Sequence, residues 1–473
     1  MNILLRKTGL WLSAAVLAFA ASCTKNTDDS VSALLGSVPS SATSVTVVNT
    51  PRLLDDLGCK MKDGKLQRSE ETDKLLKHLY RAPGTGFSTP TLLLADSTGV
   101  SHSSCVVFSD AYATYLTGLL EDTQAFTKWI EFHTGQSFND NDGVYTCGPI
   151  AYRGSQYWLC LSRPDKPIDI TAINSYSSLN SAQSFMTTEA ADKLQKTDHD
   201  VLYWGDMNGL LKQAFGSGVK DMATARIAMG MLFEDASYAS GELDCEKDII
   251  KGTATLLNSK GNPAKYLLPV QKIDLATVES IDKQAQYLFA MGYPKELTSK
   301  IEQISGSLGG ALPANMVAML KPVDGTIAVA IDNRQGVQGR LSGVITTDGK
   351  PANTLADYIS DFTKAAGGRM DKDGKLLRFS WGNANVTNDN GKLEKSIFTL
   401  KNVTPKFKDA CIALVASVPA KQSPTAGTPE AEDACVTVSA YPYSGGLEWR
   451  VDVEAPATRP NMTAYVIEYL LPF

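Results

Sequence analysis

Residues 38–54 read VPSSATSVTVVNTPRLL, and their pattern sets the fold class. Ser44 to Val48 is a β-branched run that predicts a strand. Asn49 stands where a helix N-cap belongs, and Leu53, Leu54 and Leu57 recur at helical spacing. The unit returns 157 positions later. There Val201 to Asp206 reads as the strand, Asp206 as the cap, and Leu210-Leu211 as the helical pair.

A longer echo lies further out. Val106 to Phe108 and Tyr112 to Leu120 read as strands. Asp122 or Thr123 then caps a helix whose stripe is Phe126, Trp129, Ile130 and His133, at i, i+3, i+4 and i+7. Gly135 stops it, and Asp142-Gly143 opens strands at Val144–Cys147 and Tyr157–Leu161. Thr326 to Ile331 and Arg340 to Thr346 repeat the strands. Leu355, Tyr358, Ile359 and Phe362 repeat the stripe at an offset of 229, and Asp373-Gly374 opens Leu376–Trp381. The reading is an α+β fold: two tandem related modules, 37–265 and 266–473, each an antiparallel sheet with helices packed on one face. Helices are expected over 223–233, 275–291 and 295–304, and a hairpin joins 238–244 to 249–257. Strands are expected at 393–400, 412–418, 436–440 and 447–453, with a loop over 419–433.

The N-terminus has the layout of a secretory leader. Arg6 and Lys7 precede an apolar run from Leu10 to Ala21, too short for a membrane span. Ala20, Ala21 and Ser22 then lead to Cys23. This resembles the lipobox of bacterial lipoproteins, although Ala20 stands where Leu is usual. The resemblance implies a signal peptide over 1–22, a diacylglyceryl (palmitate-type) anchor on Cys23, and a lipidated flexible tether over 23–36. The implied address is the outer membrane, facing either the periplasm or the exterior; Asp28-Asp29 resembles a surface-export signal. The opening quoted above, VPSSATSVTVVNTPRLL, also resembles a family of bacterial lipoproteins of unknown function. That family brings no catalytic residue, substrate or cofactor with it.

Composition narrows the function classes. The chain has 473 residues, 43% hydrophobic and 20% charged, ordinary values for globular domains. Its net charge is −6, and loss of Arg6 and Lys7 makes it −8. No basic stretch stands out, so nucleic acid is not an expected partner. With Cys23 lipidated, seven of the eight cysteines remain. No CxxC, HExxH, phosphate loop, dinucleotide loop or GxSxG elbow occurs, so neither metal nor cofactor is expected and no catalytic residue is assigned. Gly84–Gly86, Gly216–Gly218 and Gly306–Gly310 read as connectors. Residues 139–143 and 387–391 lack an oxygen ligand at the first EF-loop position and read as β-turns. His133 reads as a half-buried ring and His199, between Asp198 and Asp200, as a turn residue. A turn at Arg153-Gly154 would bring Cys147 opposite Cys160, as a disulfide or as two adjacent thiols. Gly148-Pro149 argues for a bulge or an edge in that strand.

A non-enzymatic binding or scaffolding lipoprotein of the cell envelope is the leading reading, with a membrane contact through lipid and an envelope protein or glycan as ligand. The alternatives are an extracellular glycan hydrolase, which needs a carboxylate pair in a cleft, and a structural subunit of a surface assembly. Trp129, Trp158, Trp204, Trp381 and Trp449 are the residues able to stack sugars, although most fall in core patterns.

Overall fold

The structure, a computed structural model, describes residues 27–454 apart from short internal stretches, the longest being 82–91, 308–313, 333–339, 382–397 and 419–433. Cys23 and the expected leader, Gly84–Gly86, Gly216–Gly218, and the turn and loop expected over 387–391 and 419–433 lie outside the described residues. The fold is α+β and divides into two units. Of the described residues, the first takes those up to 226 and 236–262; the second takes 227–235 and 263–454. Residues 227–235 join the second unit because Phe233–Glu234 pairs with Lys265–Tyr266.

The first unit is an antiparallel sheet. Its strands are β1 (Ser44–Val48), β2 (Cys105–Ser109), β3 (Thr114–Leu119), β4 (Asn139–Asn141), β5 (Val144–Cys147), β6 (Ile150–Arg153), β7 (Gln156–Cys160), β8 (Val201–Asp206), β9 (Tyr238–Cys245) and β10 (Ile249–Leu257). Across the sheet they run β10-β9-β8-β1-β2-β3-β7-β6-β5-β4. β1 is central, and all five of its residues are buried. Alternate side chains feed opposite faces. Val45, Val47, Val106, Phe108, Trp158 and Leu202 form one core with α1 (Thr27–Gly36), Ile173 and Tyr176 of the helix Ile170–Ser177, and the helix Glu189–Leu194. On the other face, Phe126 of α2 (Thr123–Thr134) packs its ring on Tyr152 and Tyr157, with centroids 5.9 and 5.6 Å away. Helices therefore cover both faces, not the single face expected. A central strand with apolar residues on both sides requires two covers.

The second unit contains β11 (Tyr287–Tyr293), β12 (Val323–Asp332), β13 (Arg340–Thr347), β14 (Arg369–Asp373), β15 (Leu376–Trp381), β16 (Ile412–Val418), β17 (Ala434–Tyr443) and β18 (Gly446–Glu454). Their order is β18-β17-β16-β11-β12-β13-β15-β14. Strand for strand this is the order of the first unit, without the β4–β5 hairpin. α3 (Asn353–Ala365) follows β13 as α2 follows β3. One core joins Leu288, Ala290, Ala328, Ala413 and Val415 to Val278, Leu400 and Phe407, and a second joins Leu355 and Ala356 to Leu297 and Leu377.

Three expectations are corrected. The tether does not extend to residue 36: Val31, Leu34 and Leu35, at i, i+3 and i+4, lie buried in the core as one face of α1. The helix expected over 275–291 is short, Leu275–Glu279, and Tyr287–Tyr293 is the central strand of the second sheet. Its alternation of buried Leu288 and Ala290 with exposed Phe289 is the period of a strand. Lastly, Cys147 and Cys160 are not bonded. Gly148, at φ 56°, and Pro149 make a tight turn of their own, so Cys147 pairs with Ile150. β6 then lies between the two cysteines, and two strand spacings are about 9–10 Å, beyond the reach of a disulfide.

Candidate functional site

A cleft of about 780 Å³ opens at the end of β8 within the first unit. Trp204 and Tyr238 are on one face of the sheet and lie diagonally across β8 and β9, with ring centroids 5.2 Å apart and planes tilted by 32°. Buried Phe185 meets Trp204 edge-on at 5.3 Å. These contacts hold the indole in place. The loop Ser40–Thr43 forms one wall, and backbone bonds fasten it: Thr43 N–H donates to Ser109 O, and Asp206 N–H to Thr43 O, each at 2.7 Å. Glu189, Asp192, Lys193 and Lys196 form the helical wall. The third wall is the turn after β10. There Asn258 N–H donates to Asn262 O at 2.8 Å, and Asn258 Oδ1 accepts from Lys260 and Asn262. Lys193 Nζ donates to Gly261 O at 3.3 Å, joining the helix to that turn. Asp206 is the carboxylate on the strand side, and its Oδ2 caps the following helix by accepting from Gly209 N–H at 2.8 Å.

At the opposite end of β8 lies a charged network. His199 Nδ1 is 2.9 Å from Asp244 Oδ2, and its Nε2 is 3.0 Å from Glu242 Oε2. Carboxylates at both ring nitrogens call for a donor on each, which is the imidazolium form. Burial pulls the His199 pKa down, but Asp244, Glu242 and Asp198 outweigh it and the net shift is upward. Arg52 Nε donates to Asp200 Oδ1 at 2.9 Å, and Cys245 N–H donates to Asp200 Oδ2 at 2.5 Å. Asp200 is 1% exposed. Burial lifts its pKa, against the Cys245 and Arg52 hydrogen bonds. Burial first, and then the Asp200 charge, push Asp56 up to about 8. This network ties residue 199, the start of β8 and the end of β9 together, and Thr253 Oγ1 of β10 donates to Glu242 Oε1 at 3.0 Å. Both ring nitrogens and both Asp200 oxygens are engaged, so its chemistry is that of a clamp. Among the described residues no group of three or more His, Cys, Asp or Glu is arranged to hold a metal ion.

Sequence reasoning placed Trp204 among the aromatic residues able to stack sugars, and it lines the cleft. Trp158 is fully buried core. Trp129 stacks on His133 at 4.0 Å, and His133 Nδ1 lies 2.8 Å from Trp129 O. Trp381 packs against Phe362 and Phe379. The Asp142-Gly143 turn has φ values of 55° and 79° and closes the β4–β5 hairpin. Asp198 beside His199 is visible in the sequence, whereas Tyr238 and the partners Glu242 and Asp244 are not marked by any motif. The available signal for the latter was Glu242-Leu243-Asp244, alternate acids on one face of a strand.

No family model matches the chain, and no curated protein does. Two solved structures align over most of it. Crystal form I of TP0453 is 9% identical, covers 79% of this chain and 95% of its own, and has a TM-score of 0.22; crystal form III gives 8%, 78%, 96% and 0.22.

Proposed function

We propose that this chain is a non-enzymatic binding protein of the cell envelope, anchored through lipid on Cys23 in the outer membrane, with the Trp204–Tyr238 cleft as its ligand site. The observation behind the binding role is the cleft itself: a braced aromatic floor, fastened walls and a polar rim, the features of a pre-formed ligand site. Asp206 serves as a helix cap, which weighs against its being one half of a hydrolase acid pair. The anchor and the address rest on the Ser22-Cys23 sequence. Cys23→Ala should move the protein from the membrane to the soluble fraction or leave its leader uncleaved. A variant that is cleaved normally and stays in the membrane would show that lipid on Cys23 is not the anchor.

The two units are read as copies of one module. Their eight shared strands follow the same order. Thr134 Oγ1 and Thr363 Oγ1, at matching places in the two helices, each donate to the carbonyl four residues back at 2.8 Å.

A further inference from the structure

We infer that the cleft takes an uncharged sugar ring, the end or side of a neutral glycan chain. The inference rests on the reading of the cleft as the ligand site and adds the class of ligand. A pyranose has a flat C–H face and an edge of hydroxyls that donate and accept in every direction. The cleft presents the complement of both. The indole of Trp204 and the ring of Tyr238, stacked against each other at a tilt of 32°, offer apolar ring surface to the cleft. The rim carries hydroxyls from Ser40, Ser41 and Ser259, together with ammonium groups and carboxylates.

The charge balance argues against an anionic ligand. The lining holds Lys193, Lys196 and Lys260 against Glu189, Asp192 and Asp206. Three ammonium groups and three carboxylates give no net attraction for an anion, and a nucleotide phosphate would face the acids of the helical wall. An aromatic peptide side chain would meet the rings and make no use of the hydroxyls on the rim. The Phe185 brace and the fastened loop Ser40–Thr43 mean that little ordering remains for binding to impose.

The test is saturation-transfer NMR and calorimetry on the full chain with cellotetraose, maltotetraose and chitotetraose. AMP and N-acetylphenylalanine amide serve as competing probes. Saturable binding of at least one tetrasaccharide is expected, weakened about tenfold or more by Trp204→Ala and several-fold by Tyr238→Ala, as for aromatic anchors at the centre of a site. Ser259→Trp, an exposed rim change that leaves the sheet intact, should block the same binding and guards against a misfolded Trp204 variant. No saturable binding by any tetrasaccharide overturns the inference, as does binding that all three variants leave unchanged. Preferential binding of AMP or of the phenylalanine amide overturns the sugar class and leaves the cleft as a ligand site. Cleavage of the tetrasaccharide during the titration supports the sugar class and overturns the non-enzymatic reading.

Discussion

Asp200 in the first unit and Cys411 in the second occupy the same place in their sheets, just ahead of the strand that flanks the central one. Each offers its carbonyl to the end of that central strand: Asn49 N–H donates to Asp200 O at 2.7 Å, and Gly292 N–H to Cys411 O at 2.9 Å. The side chains differ completely. Asp200 anchors a network of Arg52, Asp56, His199, Glu242 and Asp244. Cys411 directs only a thiol, 3.3 Å from Ala440 O. The sheet thus needs a backbone acceptor at this position and tolerates either a buried charge or none. The charge is an addition of the first unit, and it makes that unit sensitive to solution conditions that leave the second unaffected.

The largest effect expected from paired substitutions comes from the shared helices. Phe126 is fully buried against Phe138, Tyr152 and Tyr157, and Leu355 holds the matching place in α3. Phe126→Ala should cost about 4 kcal/mol and Leu355→Ala about 3 kcal/mol. Urea unfolding, with hydrogen exchange assigning each loss to its unit, measures both. If either substitution costs less than about 1 kcal/mol, the two helices do not play equivalent roles.

The next pair is Asp200→Ala and Cys411→Ala. The first strands the Cys245 N–H and removes the charged partner of Arg52, a loss on the order of 3 kcal/mol. The second removes a weak thiol contact and a little volume, about 1 kcal/mol. Equal losses by the same measurement would erase the contrast.

The smallest effect is that of pH, because His199 and Asp56 are partly exposed and solvent screens their charges. His199 is shifted upward from 6.5 and Asp56 from 3.8 to about 8. In both, folding favours the protonated form, so the stability each contributes is full below its unfolded pKa and is lost as pH rises through the folded one. The first unit should therefore lose a few degrees of melting temperature between about pH 5 and about pH 8. In the second unit the Asp409 carboxyl is held low by Lys272 and the Lys295 ammonium high by Asp348, and both titrate outside that window. Its stability should stay level. Hydrogen exchange in β8 and β16 across this range checks the difference, and a parallel decline in the two strands would refute it.

Local pattern made much of this architecture legible. Asn49 caps its helix by accepting from Arg52 N–H, and the 238–257 hairpin forms where alternation placed it. The stripe at Phe126 and Ile130 is buried as its spacing required. The failures have physical causes. Tyr287 to Tyr293 is a short apolar run whose burial on a sheet, not its own period, decides its state. Gly148-Pro149 looked like a flaw in a strand and is a reversal, because Gly supplies the positive φ that the turn requires. The charged network draws on residues 52, 56, 198–200 and 242–245, and the cleft on five separate segments. Only the pairing of β1, β8 and β9 brings either together, and a linear reading holds no register.

The packing of α1 into the core also sets the length of a leash. The described structure begins with α1 at Thr27, four residues beyond Cys23, and four residues span about 14 Å at most. A slack strap from Cys23 to Gly36 would have reached more than three times as far. Lipid on Cys23, as proposed, would hold the start of α1 within that distance of the bilayer, and the protein would then meet what lies on or passes close to the membrane surface.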